Sequence, residues 1–144
     1  MAILGLGLLL ASCASDPLQL ESEPRASVAD ARVRTEIDRS FELRPGEVAA
    51  VGAGRALVGF RGIRSDSRCP VDVTCVWAGD AVAVVGLAQD SGPWQWFDLH
   101  TGIEPREASA IGVTVRLEEV EPQARTGGGI AQASYRVTLR VAEP

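Results

Sequence analysis

The chain has 144 residues, of which 46% are hydrophobic and 23% are charged, and this composition fits one folded domain better than a disordered chain. Its 14 basic and 19 acidic residues give a net charge of -5, which lacks the basic surface that nucleic acid would need. A single histidine excludes sites that require two imidazoles, such as the common zinc protease motif. We therefore expect no nucleic-acid partner, no metal and no cofactor.

The amino-terminal segment has the pattern of an export signal. Residues Ile3 to Leu10 form an apolar run that is too short to cross a bilayer as a helix but is typical of a signal peptide. The Leu-Ala-Ser-Cys sequence that ends at Cys13 resembles the lipobox of bacterial lipoproteins. This resemblance implies a signal peptide over residues 1–12 and an acylated Cys13 that anchors the protein to the lipid bilayer. An ordinary secretory signal with an incidental cysteine is the alternative.

The residues after Cys13 predict where the protein is sorted and how it is attached. The mature chain would have no aspartate at its second position, which resembles lipoproteins sorted to the outer membrane and implies a cell-envelope location facing the periplasm. Residues 13–33 are rich in Ser, Ala, Pro and mixed charge, which predicts a flexible tether. The folded domain is then expected over residues 34–144.

From residue 41 onward, short segments rich in Val, Leu and aromatic residues alternate with Gly and Pro turns, as in antiparallel β-structure. In the last segment Tyr135, Val137, Leu139 and Val141 alternate with polar residues, which predicts one buried face. Six strands are predicted, over residues 47–51, 57–63, 81–87, 94–99, 113–117 and 133–141. We expect an all-β fold, a small antiparallel β-sandwich of which an immunoglobulin-like Greek key is one form. In it, the long loop that holds Cys69 should connect the two sheets.

Two cysteines, Cys69 and Cys75, remain once Cys13 is acylated. In an exported chain such a pair is expected to form a disulfide. The five-residue spacing matches neither the C-x-x-C redox motif nor the usual zinc-ligand spacing. Closing this short loop is worth about 2.4 kcal/mol on a chain-entropy argument.

The surrounding segment carries a second resemblance. From Asp66 to Gly79 the chain reads Asp-Ser-Arg-Cys-Pro, four variable residues, and then Cys-Val-Trp-Ala-Gly. This pattern resembles a motif of small exported bacterial proteins, many of them lipoproteins, and the likeness extends more loosely over residues 41–141. The resemblance implies an envelope lipoprotein but no particular activity or catalytic residue.

Asp66, Arg68, Asp72 and Asp80 lie around the cysteine pair together with Trp77, and three interpretations are open. In the first, an aspartate accepts backbone hydrogen bonds and pairs with Arg68, while Trp77 covers the disulfide as a core residue. In the second, the segment is a binding loop for an envelope protein or a saccharide, with Arg68 as a bidentate donor. Calcium binding by the aspartates is the third, although their spacing differs from that of an EF-hand. On the binding interpretation, Arg68→Ala should weaken a partner contact with little change in melting. If Trp77 is a core residue, Trp77→Ala should destabilise the domain by about 3 kcal/mol or more.

The remaining candidate residues lie in the carboxyl-terminal half. Trp94 and Trp96 should share one face of a strand, with Phe97 on the other, and could either stack on sugar rings or form part of the core. A hydrolase could use His100 as its base, but the chain has no Gly-x-Ser-x-Gly sequence. The candidate nucleophiles are Ser67 and Ser91, and the candidate carboxylates for glycoside hydrolysis are Glu118, Glu119 and Glu121. We expect a non-enzymatic envelope lipoprotein that serves as a binding or structural module, with a small periplasmic hydrolase as the alternative.

Overall fold

The computed structural model describes residues 24–144, so the predicted signal peptide and Cys13 lie outside the described residues. Within them the chain forms nine strands and two single turns of 3-10 helix. The strands are β1 (Val33–Thr35), β2 (Ser40–Leu43), β3 (Val48–Val51), β4 (Ala56–Asp66), β5 (Ala81–Ala88), β6 (Gln95–His100), β7 (Glu107–Ala110), β8 (Val113–Glu121) and β9 (Arg136–Ala142). The 3-10 turns span Val28–Asp30 and Gln132–Ser134. No helix in this part of the chain is long and apolar enough to cross a membrane.

The strands form two sheets. One has five strands in the order β1-β3-β4-β5-β6, and the other has four in the order β2-β9-β8-β7. All neighbouring strands are antiparallel except β1 and β3, which are parallel. The predicted all-β sandwich is therefore confirmed.

The core lies between the sheets, where alternate side chains from both sheets meet. The largest fully buried side chains of this core are Phe60, Leu43, Leu87, Leu99, Leu117, Leu139, Val51, Val58, Val85, Val115 and Val137. The alternation predicted in the last strand is confirmed, because Tyr135, Val137, Leu139 and Val141 are all buried.

All six predicted strands are present, and three more had not been predicted. These are β1, β2 and β7, which have only three or four residues each. Strands β1 and β7 lie at sheet edges and carry the charged residues Arg34 and Glu107. Because each strand has only three or four residues, the alternation of apolar and polar side chains is too short to detect in the sequence.

The packed part of the chain begins before residue 34, the predicted start of the domain. Ala26 is only 2% exposed and contacts Ala50, Leu57 and Ala88 on the outer face of the five-stranded sheet. Its backbone N–H donates to the Gly92 carbonyl at 3.1 Å. The carboxyl-terminal part of the predicted tether is thus bound to the turn between β5 and β6.

The loop that holds Cys69 does not connect the two sheets, so this expectation was wrong. It joins β4 to β5, which are antiparallel neighbours in the same sheet. The loop keeps the hairpin geometry at its base, where Ser67 N–H donates to the Asp80 carbonyl at 2.7 Å and Cys69 N–H donates to the Ala78 carbonyl at 2.8 Å. We call residues 67–80 the disulfide loop.

Candidate functional site

The disulfide loop projects from one end of the sandwich and is closed by a covalent bond. Cys69 and Cys75 form the predicted disulfide, with 5.9 Å between their Cα atoms. At the base of the loop, Gly79 has a φ of +71°, and a Cβ there would lie 1.9 Å from the Ser67 carbonyl oxygen. Only glycine fits this position. Gly79 therefore allows the two sides of the loop to approach each other closely at its base.

Arg68 fastens the first side of the loop to both sheets. Its guanidinium donates to both carboxylate oxygens of Asp66, at 2.8 and 2.6 Å, and to the carbonyls of Val120 at 2.7 Å and Pro122 at 2.9 Å. The Tyr135 hydroxyl donates to Asp66 at 2.9 Å. The side chains of Arg68 and Asp66 are only 14% and 11% exposed.

This network sets the charge state of its members. The hydrogen bond from Arg68 is the main reason that the pKa of the Asp66 carboxyl is lowered. The same bond raises the pKa of Arg68, while burial, followed by the bond to Asp66, raises the pKa of Tyr135. The folded state therefore holds an ionised Asp66–Arg68 pair with a neutral phenol beside it.

Asp80 fastens the second side of the loop. Its carboxylate accepts the backbone N–H groups of Thr101 at 3.0 Å and Gly102 at 2.8 Å, and it lies 2.6 Å from Nδ1 of His100. Burial acts to raise the pKa of Asp80, but the hydrogen bonds from Gly102 and His100 outweigh it, so the pKa is lowered. Asp80 thereby joins the disulfide loop to the β6–β7 loop.

Asp72 makes a third attachment, to the loop between β8 and β9. It accepts the Thr126 N–H at 2.9 Å and also the Thr126 hydroxyl, and the hydroxyl bond is the main cause of its lowered pKa. Asp66, Asp72 and Asp80 are thus bound to three different sets of partners. No cluster of His, Cys, Asp and Glu that could hold a metal occurs within residues 24–144, and this arrangement gives no support to the calcium interpretation.

Trp77 does not cover the disulfide: its residue surface is 82% exposed. Val76 is 92% exposed, and Val71 and Val73 are about half exposed. We call these four residues the tip of the disulfide loop. The pairing of Arg68 with an aspartate, expected on the first interpretation, is therefore present. The core position that this interpretation gave to Trp77 is wrong, because the indole faces solvent.

The apolar exposure is confined to one end of the described structure. The only other exposed large hydrophobic residue in residues 24–144 is Ile103, which lies in the β6–β7 loop beside Gly102, a partner of Asp80. We call the tip together with Ile103 the apolar end. The three valines and Ile103 had not been singled out. Val71 and Val73 lie inside the short loop closed by the predicted disulfide and Val76 directly follows it, and this position was a usable signal of exposure.

The hydrolase candidates are only partly brought together. His100 contacts Asp80, as in two members of a catalytic triad. Ser67 hydrogen-bonds the Asp80 backbone instead of the imidazole, and Ser91 lies at the opposite end of β5, bonded to Ala26. Of the three glutamates, Glu118 accepts from Ser40 and Glu121 accepts from Arg136.

Trp94 and Trp96 share one face, as predicted, and Phe97 packs against the core on the other. The two indoles stack with 5.1 Å between their centroids. A Cβ at Gly86 would lie 2.6 Å from the Trp96 ring, and the Arg61 guanidinium lies 3.9 Å from the centre of that ring. The two indoles therefore pack on the face of the sheet at positions where glycine leaves room for them.

The chain matches no protein-family model, and no curated protein or solved structure is significantly similar to it.

Proposed function

We propose that this protein is a lipid-anchored, non-enzymatic binding module of the bacterial cell envelope, attached through an acylated Cys13. Two features support this location. The sequence that ends at Cys13 resembles a lipobox, and the Cys69–Cys75 disulfide is typical of an oxidising compartment. The binding surface in this proposal is the apolar end.

The observation that carries the proposal is the arrangement of exposed apolar side chains. All five exposed large hydrophobic residues of the described chain belong to two loops at one end of the sandwich. An exposed apolar cluster of this kind marks an interaction surface, and tryptophan is enriched among residues that dominate binding.

The loop is also fixed before any partner arrives. The disulfide closes the loop on itself, and Arg68, Asp72 and Asp80 each attach it to the rest of the protein. A loop that is already ordered loses less conformational entropy on binding. The charged residues of the segment thus support the binding surface, and the apolar residues form it.

The position of the amino terminus agrees with this arrangement. Ala26 is bound at the turn that follows β5, whereas the disulfide loop precedes β5. Eight residues of β5 separate the two ends by roughly 25 Å. An anchor that precedes Ala26 therefore enters the domain far from the apolar end and leaves that end accessible.

Photo-crosslinking in intact cells tests the proposal. A photoreactive amino acid at position 77 of the full chain should give adducts, whereas the same probe at Gln89, an exposed position beyond the other end of β5, should give few. A Cys13→Ser variant should lose its acyl modification and its membrane fractionation. Equal crosslinking at both positions would contradict the binding surface, and unchanged fractionation would contradict the anchor.

A further inference from the structure

The tip has very little charge for a surface segment. Between Arg68 and Asp80 the only ionisable side chain is Asp72, and its carboxylate is bound to Thr126 in a neighbouring loop. Residues 71–78 are all exposed, and Val76 and Trp77 are the most exposed large hydrophobic residues of the described chain. The surface that these two side chains form is apolar and uncharged.

Several backbone groups of the loop are already hydrogen-bonded within the protein. Cys69 N–H donates to Ala78, Val71 N–H donates to Ala124 at 2.9 Å, and Val73 N–H donates to Pro70 at 3.3 Å. Unsatisfied backbone groups are the main obstacle to placing a loop in an apolar medium. These bonds reduce that obstacle at Val71 and Val73 of the tip.

The composition of the tip suits a bilayer. Its exposed side chains are one tryptophan and three valines, and the one ionisable side chain among them in sequence, Asp72, is bound to Thr126. A small convex apolar tip can be buried in the interfacial layer of a bilayer, where tryptophan is enriched, without a complementary pocket.

The chain outside the described fold is long enough to permit this contact. Residues 14–25, twelve residues, separate Cys13 from Ala26, and twelve extended residues span at most about 40 Å. The distance along β5 between the attachment of Ala26 and the disulfide loop is roughly 25 Å. A chain anchored through Cys13 could therefore place its tip on the same membrane.

We propose that the tip, led by Val76 and Trp77, inserts into the interfacial layer of a phospholipid bilayer. This inference rests on the proposed function, because it names the partner of the apolar end. The contact is apolar, since the chain has a net charge of -5 and gains nothing from anionic headgroups.

The full acylated chain, reconstituted into phosphatidylcholine vesicles with brominated acyl chains, provides the test. Bromine quenches an indole only at close range, so the native chain should lose about a third of its emission, the share of one of its three tryptophans. Trp77→Phe should abolish this loss of emission. Trp96→Phe should leave the absolute decrease in emission unchanged, although its total emission is lower. Val76→Ser should reduce the quenching several-fold, with Gln89→Ser as its matched control.

Equal emission in brominated and ordinary vesicles would overturn the inference. So would quenching that requires anionic lipid or disappears in high salt, because that behaviour would indicate headgroup attraction. If quenching is absent while the probe at position 77 crosslinks to a protein in cells, the bilayer is the wrong partner and the proposed function stands. If both signals are absent, both proposals fail.

Discussion

Replacing Arg68 by alanine removes the side chain that joins the disulfide loop to both sheets. The variant loses two hydrogen bonds to Asp66 and one each to the Val120 and Pro122 carbonyls. It also leaves the Asp66 carboxylate, 11% exposed, with the Tyr135 hydroxyl and the backbone N–H of residue 68 but without its cation. Breaking one side of a buried ion pair costs about 3–5 kcal/mol.

A loss of this size lowers the melting temperature of a domain of this length by roughly 10–20 °C. Trp77→Ala is the matched comparison, because it removes a larger side chain from the same loop. Since Trp77 is 82% exposed, its removal should change the free energy of unfolding by less than about 0.5 kcal/mol.

Thermal and urea unfolding of both variants, followed by far-ultraviolet circular dichroism, separates these outcomes without relying on tryptophan emission. A double-mutant cycle with Asp66→Asn should give a coupling energy above about 1 kcal/mol. If Trp77→Ala destabilises the domain more than Arg68→Ala, the assignment of their roles is incorrect.

Three further predictions concern the same loop. Because the pKa of Asp66 is lower in the folded chain, the stability that this carboxylate contributes is present at neutral pH and is lost as the pH falls below about 4. The urea midpoint, measured from pH 7 to pH 2, should therefore fall below about pH 4, and it should fall less steeply in Asp66→Asn. Gly79→Ala should destabilise the domain by about 2 kcal/mol or more, because a Cβ would meet a carbonyl oxygen at 1.9 Å, whereas Gly128→Ala, with open space around it, should melt like the native chain. The double variant Cys69→Ser, Cys75→Ser should lose about 2 kcal/mol, and a melting temperature within a degree of the parent would show that the disulfide adds no stability.

The sandwich could be predicted because its longer strands show an alternation of apolar and polar residues in the sequence. In β9 every second residue from Val137 to Val141 is buried, and this alternation depends only on local sequence. The short edge strand β1 pairs in parallel with β3, and three residues contain too little alternation to predict such pairing. Its position depends on contacts that Ala26 and the following residues make with the sheet.

The disulfide and the Asp66–Arg68 pair could be predicted from the sequence, but the other contacts of this segment could not. The even pair of cysteines in an exported chain predicted the Cys69–Cys75 bridge, and the nearby opposite charges allowed for the ion pair. Arg68, however, is bound by Val120 and Pro122, more than 50 residues away, and composition cannot reveal which distant carbonyls face an arginine. The 82% exposure of Trp77 has the same origin, because it depends on how the fold packs around the loop and not on the local sequence.

Hydroxyl-radical footprinting of the three tryptophans in intact cells tests most directly whether the apolar end is a contact surface. Trp77 is the most exposed of the three in the folded chain, whereas Trp94 and Trp96 are partly buried. If the apolar end is occupied in the envelope, Trp77 should be oxidised more slowly than expected for a side chain of its exposure, and no faster than Trp94. Oxidation of Trp77 well ahead of the other two would show that the apolar end is free in solvent and would contradict the account.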